Sequence, residues 1–286
     1  MTLSTLYPDQ STLVLGQIDH FVDKEDFFLP FALDDASLHL LNQAETTYDA
    51  ILHFWPTVPA VFLGGMDMRT PFIDQGLKFL IDKAQVPTII RPAGGLAVVS
   101  DPGILNFTLV LNAGDQRLPI DQAYQVMVDL MNEVLAPYDL VGKTGQVDDS
   151  YCPGAYDFSV QGKKVAGIAQ RRIGQAVGIY VYVSLKGPQD QRGQLIQDFY
   201  AQAIQGQETR TFYPQINPDS MANLGDFCSD LASVSAFKQA LVKAVKANGF
   251  SPEPLDWEQL AIDKHLEKMH KRNQKIVEMT SLADKE

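Results

Sequence analysis

The sequence predicts an α/β protein of the α+β type: a single mixed-sheet domain with helices packed on the sheet and a helical C-terminal extension. Three observations predict it. Helical and strand-like patterns interleave through the first 185 residues, after which helical patterns dominate. No internal repeat and no low-complexity linker divides the chain. Its 286 residues, 45% apolar and 20% charged, have an ordinary globular composition and enough length to bury a sizeable core.

In chain order, a mixed stretch over 1–28 holds a short entry strand at 12–15. Residues 30–45 are helical in pattern: Ala32, Ala36, Leu40 and Ala44 share a face, with Leu33, Ser37 and Leu41 beside them. Strands follow at 48–54 and 60–64, separated by Pro56 and Pro59. The GGMDMR stretch at 64–69 reads as a turn, and 74–84 as a helix. Short strands at 88–91 and 97–99 flank Gly94 and Gly95, and 105–111 is another strand. Over 120–135, Ala123, Met127, Leu130, Met131 and Val134 recur at helical steps before Pro137. A Tyr-Cys-Pro-Gly turn at 151–154 leads to an alternating strand with Tyr156, Phe158 and Val160. A Gln-Gly turn at 161–162 sends the chain back along 163–170, and the apolar run 177–185 reads as a buried strand. Helices are expected at 191–203, 233–248 and 257–279, the last amphipathic through Leu260, His265, Leu266, Met269, Ile276 and Met279.

Charge and composition exclude several classes. A formal net charge of −12 argues against nucleic-acid binding, which needs a basic face. Basic residues do cluster twice, at Lys163, Lys164, Arg171 and Arg172, and at Lys264, Lys268, Lys271, Arg272 and Lys275. Either cluster could receive an acidic protein, and a solvated face accounts better for the second. No window has the roughly 18 apolar residues of a membrane span. The N-terminal stretch lacks the basic flank and apolar core of a secretory signal. Two cysteines, Cys152 and Cys228, make no disulfide framework, so a reducing cytoplasm is expected. The histidines at 20, 39, 53, 265 and 270 show no metal spacing, and His39 and His53 fall in apolar patterns of core or rim type. Gly94-Gly95 closes no phosphate loop and no dinucleotide fingerprint. Between strands, the pair allows close backbone approach to a ligand, and a hairpin turn explains it as well.

The chemistry on offer is a thiol and an amine on hairpin-linked segments. A free cysteine is ordinarily a small buried hydrophobe. Here Asp148-Asp149-Ser150 before Cys152, and Pro153-Gly154 after it, predict an accessible turn. Lys164, twelve residues on, could hold the thiolate across the hairpin. Lys163 and Lys164 point to opposite faces of a strand, and an inward lysine with no carboxylate partner in view needs a ligand or a thiolate. Cys228 lies beside two aspartates, which disfavour a thiolate, and keeps the bland reading.

At these residues the chain resembles the biotin/lipoate protein ligase catalytic-domain family. The family's glycine loop is matched by Arg91-Pro92-Ala93-Gly94-Gly95-Leu96-Ala97-Val98, and its following strand by Asp101-Pro102-Gly103-Ile104-Leu105-Asn106-Phe107-Thr108. Its lysine motif is matched by Lys164-Val165-Ala166-Gly167-Ile168-Ala169-Gln170. The resemblance covers 30–230 as a catalytic domain of that fold, leaving 231–286 as a helical extension packed on it. Through the 150–172 and 94–106 segments it is most similar to the octanoyl-[glycine cleavage system H protein]:protein N-octanoyltransferases. That likeness implies Cys152 and Lys164 as catalytic residues, and Arg91, Gly94, Gly95, Asn106 and Gly167 as substrate-binding residues. It implies the H protein as acyl donor, lipoyl domains of 2-oxoacid dehydrogenase E2 subunits as acceptors, and no cofactor or metal. The ligase loop's serine is Ala93 here, its third glycine is Leu96, and a histidine of some relatives is Ser100. Those departures count against nucleotide-dependent activation. The rival readings are an octanoyl-acyl carrier protein-dependent transferase, an ATP-dependent lipoate ligase with a dispensable Cys152, and a non-catalytic lipoyl-domain scaffold.

Overall fold

The computed structural model describes residues 2–7, 13–23, 26–43, 46–114, 118–257 and 260–283. Among them the strands are β1 (Leu13–Asp19), β2 (Ala50–Phe54), β3 (Ala60–Leu63), β4 (Thr88–Ile90), β5 (Val98–Ser100), β6 (Ile104–Asn112), β7 (Gly142–Thr144), β8 (Asp157–Val160), β9 (Lys163–Ile173), β10 (Ala176–Ser184) and β11 (Phe250–Pro254). Eight of these form one mixed sheet in the order β11-β1-β2-β6-β10-β9-β8-β7, and three form a second, β4-β3-β5. The helices are α1 (Leu3–Leu6), α2 (Leu29–Leu41), α3 (Ile73–Lys78), α4 (Ile120–Leu135), α5 (Gln189–Ile204), α6 (Leu224–Phe227), α7 (Val234–Ala247) and α8 (Asp263–Ala283).

The centre of the large sheet is apolar on both sides because helices cover both faces. Leu105, Phe107, Leu109 and Leu111 of β6 pack with Met127, Leu130, Met131 and Val134 of α4 and with Phe237, Leu241 and Val245 of α7. The alternate residue Val110, with Ile51 of β2, packs with Leu33, Leu38 and Leu41 of α2. A second cluster joins Val61, Phe62, Ile89, Ile90, Val98 and Val99 of the small sheet to Ile196, Phe199 and Tyr200 of α5 and to Met269 and Ile276 of α8. Cys152 packs at the margin of this second cluster.

The expected helix at 74–84 is α3 continued by a π-helical turn over Phe79–Lys83. The helix expected from 257 starts at Asp263. The expectations that touched residues 12, 44, 45, 258 and 259 lie outside the described residues there. The stretch 231–286 supplies α7 and α8 and also a strand, β11, which pairs in parallel with β1 at the sheet margin. Its Pro252 and Pro254 conceal it in sequence, yet a proline is tolerated where one side of a strand faces no neighbour. Among the described residues, no helix is long and apolar enough to cross a membrane.

Candidate active site

Cys152 sits on the loop between β7 and β8. Tyr151 before it is buried, and its hydroxyl meets that of Tyr182 on β10, pinning the loop to the sheet. Cys152 itself is half-buried with φ +49°, in the left-handed region that a residue with a Cβ enters only at a cost. Its Sγ accepts the Leu96 N–H at 3.1 Å and lies 3.6 Å from Arg91 Nη2. The same Arg91 nitrogen donates to Leu96 O at 2.7 Å and Gly94 O at 3.1 Å, so the guanidinium folds the 91–96 loop around the sulfur.

The two loop glycines differ. A Cβ at Gly94 would meet nothing within 4 Å, whereas one at Gly95 would lie 2.7 Å from both Cys152 Sγ and Arg91 Nη2. With φ +98° as well, Gly95 is the residue that lets the loop close on the thiol.

Lys164 is 5% exposed, while Lys163 faces solvent, as strand alternation requires. The carboxylate partner that the sequence did not reveal is Asp157, 3% exposed, 2.8 Å from Lys164 Nζ. The ammonium also donates to Tyr151 O at 2.9 Å, Cys152 O at 2.8 Å and Ser150 Oγ at 3.3 Å. An ammonium has three N–H bonds, so its donors are spent on Asp157 and the cysteine loop. The structure therefore sets Lys164 against the Cys152 backbone, and gives the sulfur to Leu96 and Arg91. Asp157 Oδ2 accepts the N–H of Val147 at 3.2 Å and of Gly154 at 3.1 Å. One buried ion pair thus ties both ends of the cysteine loop.

Local strand irregularity makes this possible. Phe158 pairs with Ala166 and Ser159 with Lys164, leaving Val165 as the extra residue of a bulge. Alternation puts Asp157 on the face of β8 opposite Phe158 and Val160, and that is the face where the cysteine loop returns. Gly167 lies opposite Asp157 and Tyr182, and a Cβ there would sit 3.8 Å from Lys164 Cε, an ordinary contact. Asn106 is buried one strand away. Its amide donates to Ser100 Oγ at 2.8 Å, and Ser100 meets Thr57 Oγ1 at 2.7 Å. Arg91, Gly95 and Cys152 converge, whereas Asn106 belongs to this separate buried chain. Arg171 pairs with Asp35 at 2.9 Å, and with Lys164 buried the first basic cluster is not a free cationic face. Cys228 packs against the core of the large sheet.

A model of the lipoyl protein ligase A/B catalytic domain matches residues 26–246. The chain belongs to that family. Within the lipoyl protein ligase A/B family it is 37% identical over 258 residues to the octanoyl-[GcvH]:protein N-octanoyltransferase of Lysinibacillus sphaericus, covering 87% of this chain and 89% of that one. The Staphylococcus epidermidis protein of the same name is 33% identical and covers 94% and 98%. The lipoyl-[GcvH]:protein N-lipoyltransferase of Listeria monocytogenes is also 33% identical, over 79% and 82%. Among solved structures, lipoate-protein ligase A bound with ATP superposes with a TM-score of 0.68 at 17% identity, over 90% of this chain and 95% of that one. At that identity the likeness shows the fold alone.

Proposed function

We propose that this protein is an octanoyltransferase working by amide exchange. It moves an octanoyl group from the lysine of the octanoylated glycine cleavage system H protein to the lysine of lipoyl domains of E2 subunits, with Cys152 as the covalent carrier. One observation carries this reading: a thiol held in a strained turn, with a backbone N–H at 3.1 Å and a guanidinium at 3.6 Å on its sulfur. Those donors fix the direction of the sulfur, the nucleophile of such a transfer. The relatives named for this transfer, matching nearly the whole chain, support the same reaction class.

The Cys152 thiolate attacks the carbonyl carbon of the donor's octanoyl-lysine amide. As the C–N bond breaks, the lysine nitrogen takes a proton and leaves as an amine, and an octanoyl thioester remains. The acceptor's lysine amine then attacks the thioester carbon, loses its proton, and the C–S bond breaks to restore the thiolate. One amide is lost and one is gained, so the exchange needs no nucleotide. Gly94, exposed with open space beside it, leaves the loop backbone accessible to the incoming acyl-lysine. Cys152 borders the apolar cluster that contains Ala97, Val98, Tyr182 and Met221, and that is the side on which an eight-carbon tail would lie. Burying that tail contributes about 5 kcal/mol at about 0.8 kcal/mol per methylene. Lys164 acts through the loop, holding the Cys152 carbonyl and so the direction of the thiol.

The test is octanoyl transfer to a lipoyl domain in EDTA without ATP, comparing octanoylated H protein with octanoyl-acyl carrier protein as donor. The proposal predicts transfer from the H protein in that mixture. Transfer only from the carrier protein would reassign the donor, and a strict ATP requirement would make the protein a ligase.

A further inference from the structure

We propose that Asp67 and Tyr200 are positioning residues of this reaction, bracing residues 95–97 from both ends so that the Leu96 N–H stays on the Cys152 sulfur. Asp67 is fully buried in the 3-10 turn Asp67–Arg69. Its Oδ2 accepts the Gly64 N–H at 2.7 Å, and its Oδ1 accepts the Tyr200 hydroxyl at 2.7 Å. Both arms end on the glycine loop. Gly64 lies so near the Gly95 carbonyl that a Cβ would stand 1.8 Å from that oxygen, so the two backbones are in direct contact. The Tyr200 hydroxyl, which donates its hydrogen bond to Asp67, accepts the Ala97 N–H at 3.4 Å. Leu96 is the residue between these two fixed points.

Architecture alone gives little reason for a carboxylate at this place. Asp67 has the Arg91 charge nearby but, among the described residues, no salt bridge, and a buried carboxylate is expensive where a neutral side chain of the same shape would also pack. Burial raises its carboxyl from 3.8 to about 6, against the lowering by Tyr200, Gly64 and the nearby Arg91 charge. What the anion adds over a neutral group is two strong, directed acceptors. They hold a loop whose other side is Arg91 and Cys152.

The proposal rests on Cys152 as the nucleophile only for its consequence in transfer, and its test reads the sulfur directly. In a Cys228→Ala background, iodoacetamide labelling of Cys152 is followed against pH for wild type, Tyr200→Phe and Asp67→Asn, with octanoyl transfer measured beside it. Tyr200→Phe should label about tenfold more slowly near neutral pH, the size of one lost hydrogen bond. The rate should recover at higher pH, and transfer should lose kcat with KM little changed. Asp67→Asn, which keeps the shape, should show the same shift to a smaller extent, and it supplies the reading if Tyr200→Phe fails to fold. A folded variant with the wild-type labelling profile overturns the brace, whatever its transfer rate. A shifted profile with undiminished transfer leaves the brace standing and counts instead against Cys152 as the nucleophile.

Discussion

A methyl group at position 95 would be 2.7 Å from both the Cys152 sulfur and the Arg91 guanidinium. Gly95→Ala should therefore push the loop off the thiol, with a further cost of about 1 kcal/mol for a Cβ at φ +98°. Transfer should fall at least tenfold through loss of the thiol's geometry, whereas Gly94→Ala, with no protein atom within 4 Å of its Cβ, should leave the rate of Cys152 labelling by iodoacetamide unchanged, and assays of the pair check this. Lys164 calls for a different measurement. Lys164→Met strands the Asp157 carboxylate in a buried site, which should cost about 3–5 kcal/mol in denaturant unfolding. Lys163→Ala, on a solvent-facing side chain, should change stability by less than about 0.5 kcal/mol. The sequence pointed to Cys152, Arg91 and the glycine pair because side chains and glycines leave a visible pattern. Leu96 acts through a backbone N–H, which no residue type announces. Asp157 was hidden because its role comes from a returning loop and a bulge.

The C-terminal helix α8 reaches the same loop from outside the region matched by the family model. Its buried stripe, His265, Met269, Asn273 and Ile276, turns toward α2 and the small sheet. Asn273 Oδ1 accepts the Ile90 N–H at 2.6 Å and its Nδ2 donates to the Ile90 carbonyl at 3.2 Å, closing the free side of β4 one residue before Arg91. Asn273→Leu would orphan both groups, so the denaturant midpoint should fall by the equivalent of about 2–4 kcal/mol. An unchanged midpoint would mean that β4 is held by packing alone. Long elements were legible in advance: α4 by its helical period and β10 by its apolar run. The marginal strands β7 and β11 were not, because β7, Gly142-Lys143-Thr144, carries no apolar strand pattern and β11 holds two prolines. The division into two sheets was equally hidden, since strand partners lie far apart in the chain.

Across the molecule, the mixed α/β architecture followed from the alternation of periods, and the reaction class from two motifs set on one loop and one hairpin. Global stability carries a pH signature of the Asp67 site. Its carboxyl titrates at about 6 in the folded chain against 3.8 as its ordinary value, so the folded state binds more protons between those limits. This contribution is therefore largest at low pH and is lost as pH rises through about 6, by about 3 kcal/mol in all. Urea midpoints at pH 4 and pH 7.5 should show Asp67→Asn gaining on wild type at the higher pH, and parallel profiles would contradict that titration. The covalent step itself is tested most directly by intact mass. Wild-type protein mixed with octanoylated H protein should gain one octanoyl group, mapped to Cys152 and released by hydroxylamine, and Cys152→Ala should neither gain it nor turn over. Continued transfer by Cys152→Ala, or an adduct on another residue, would contradict the thioester mechanism.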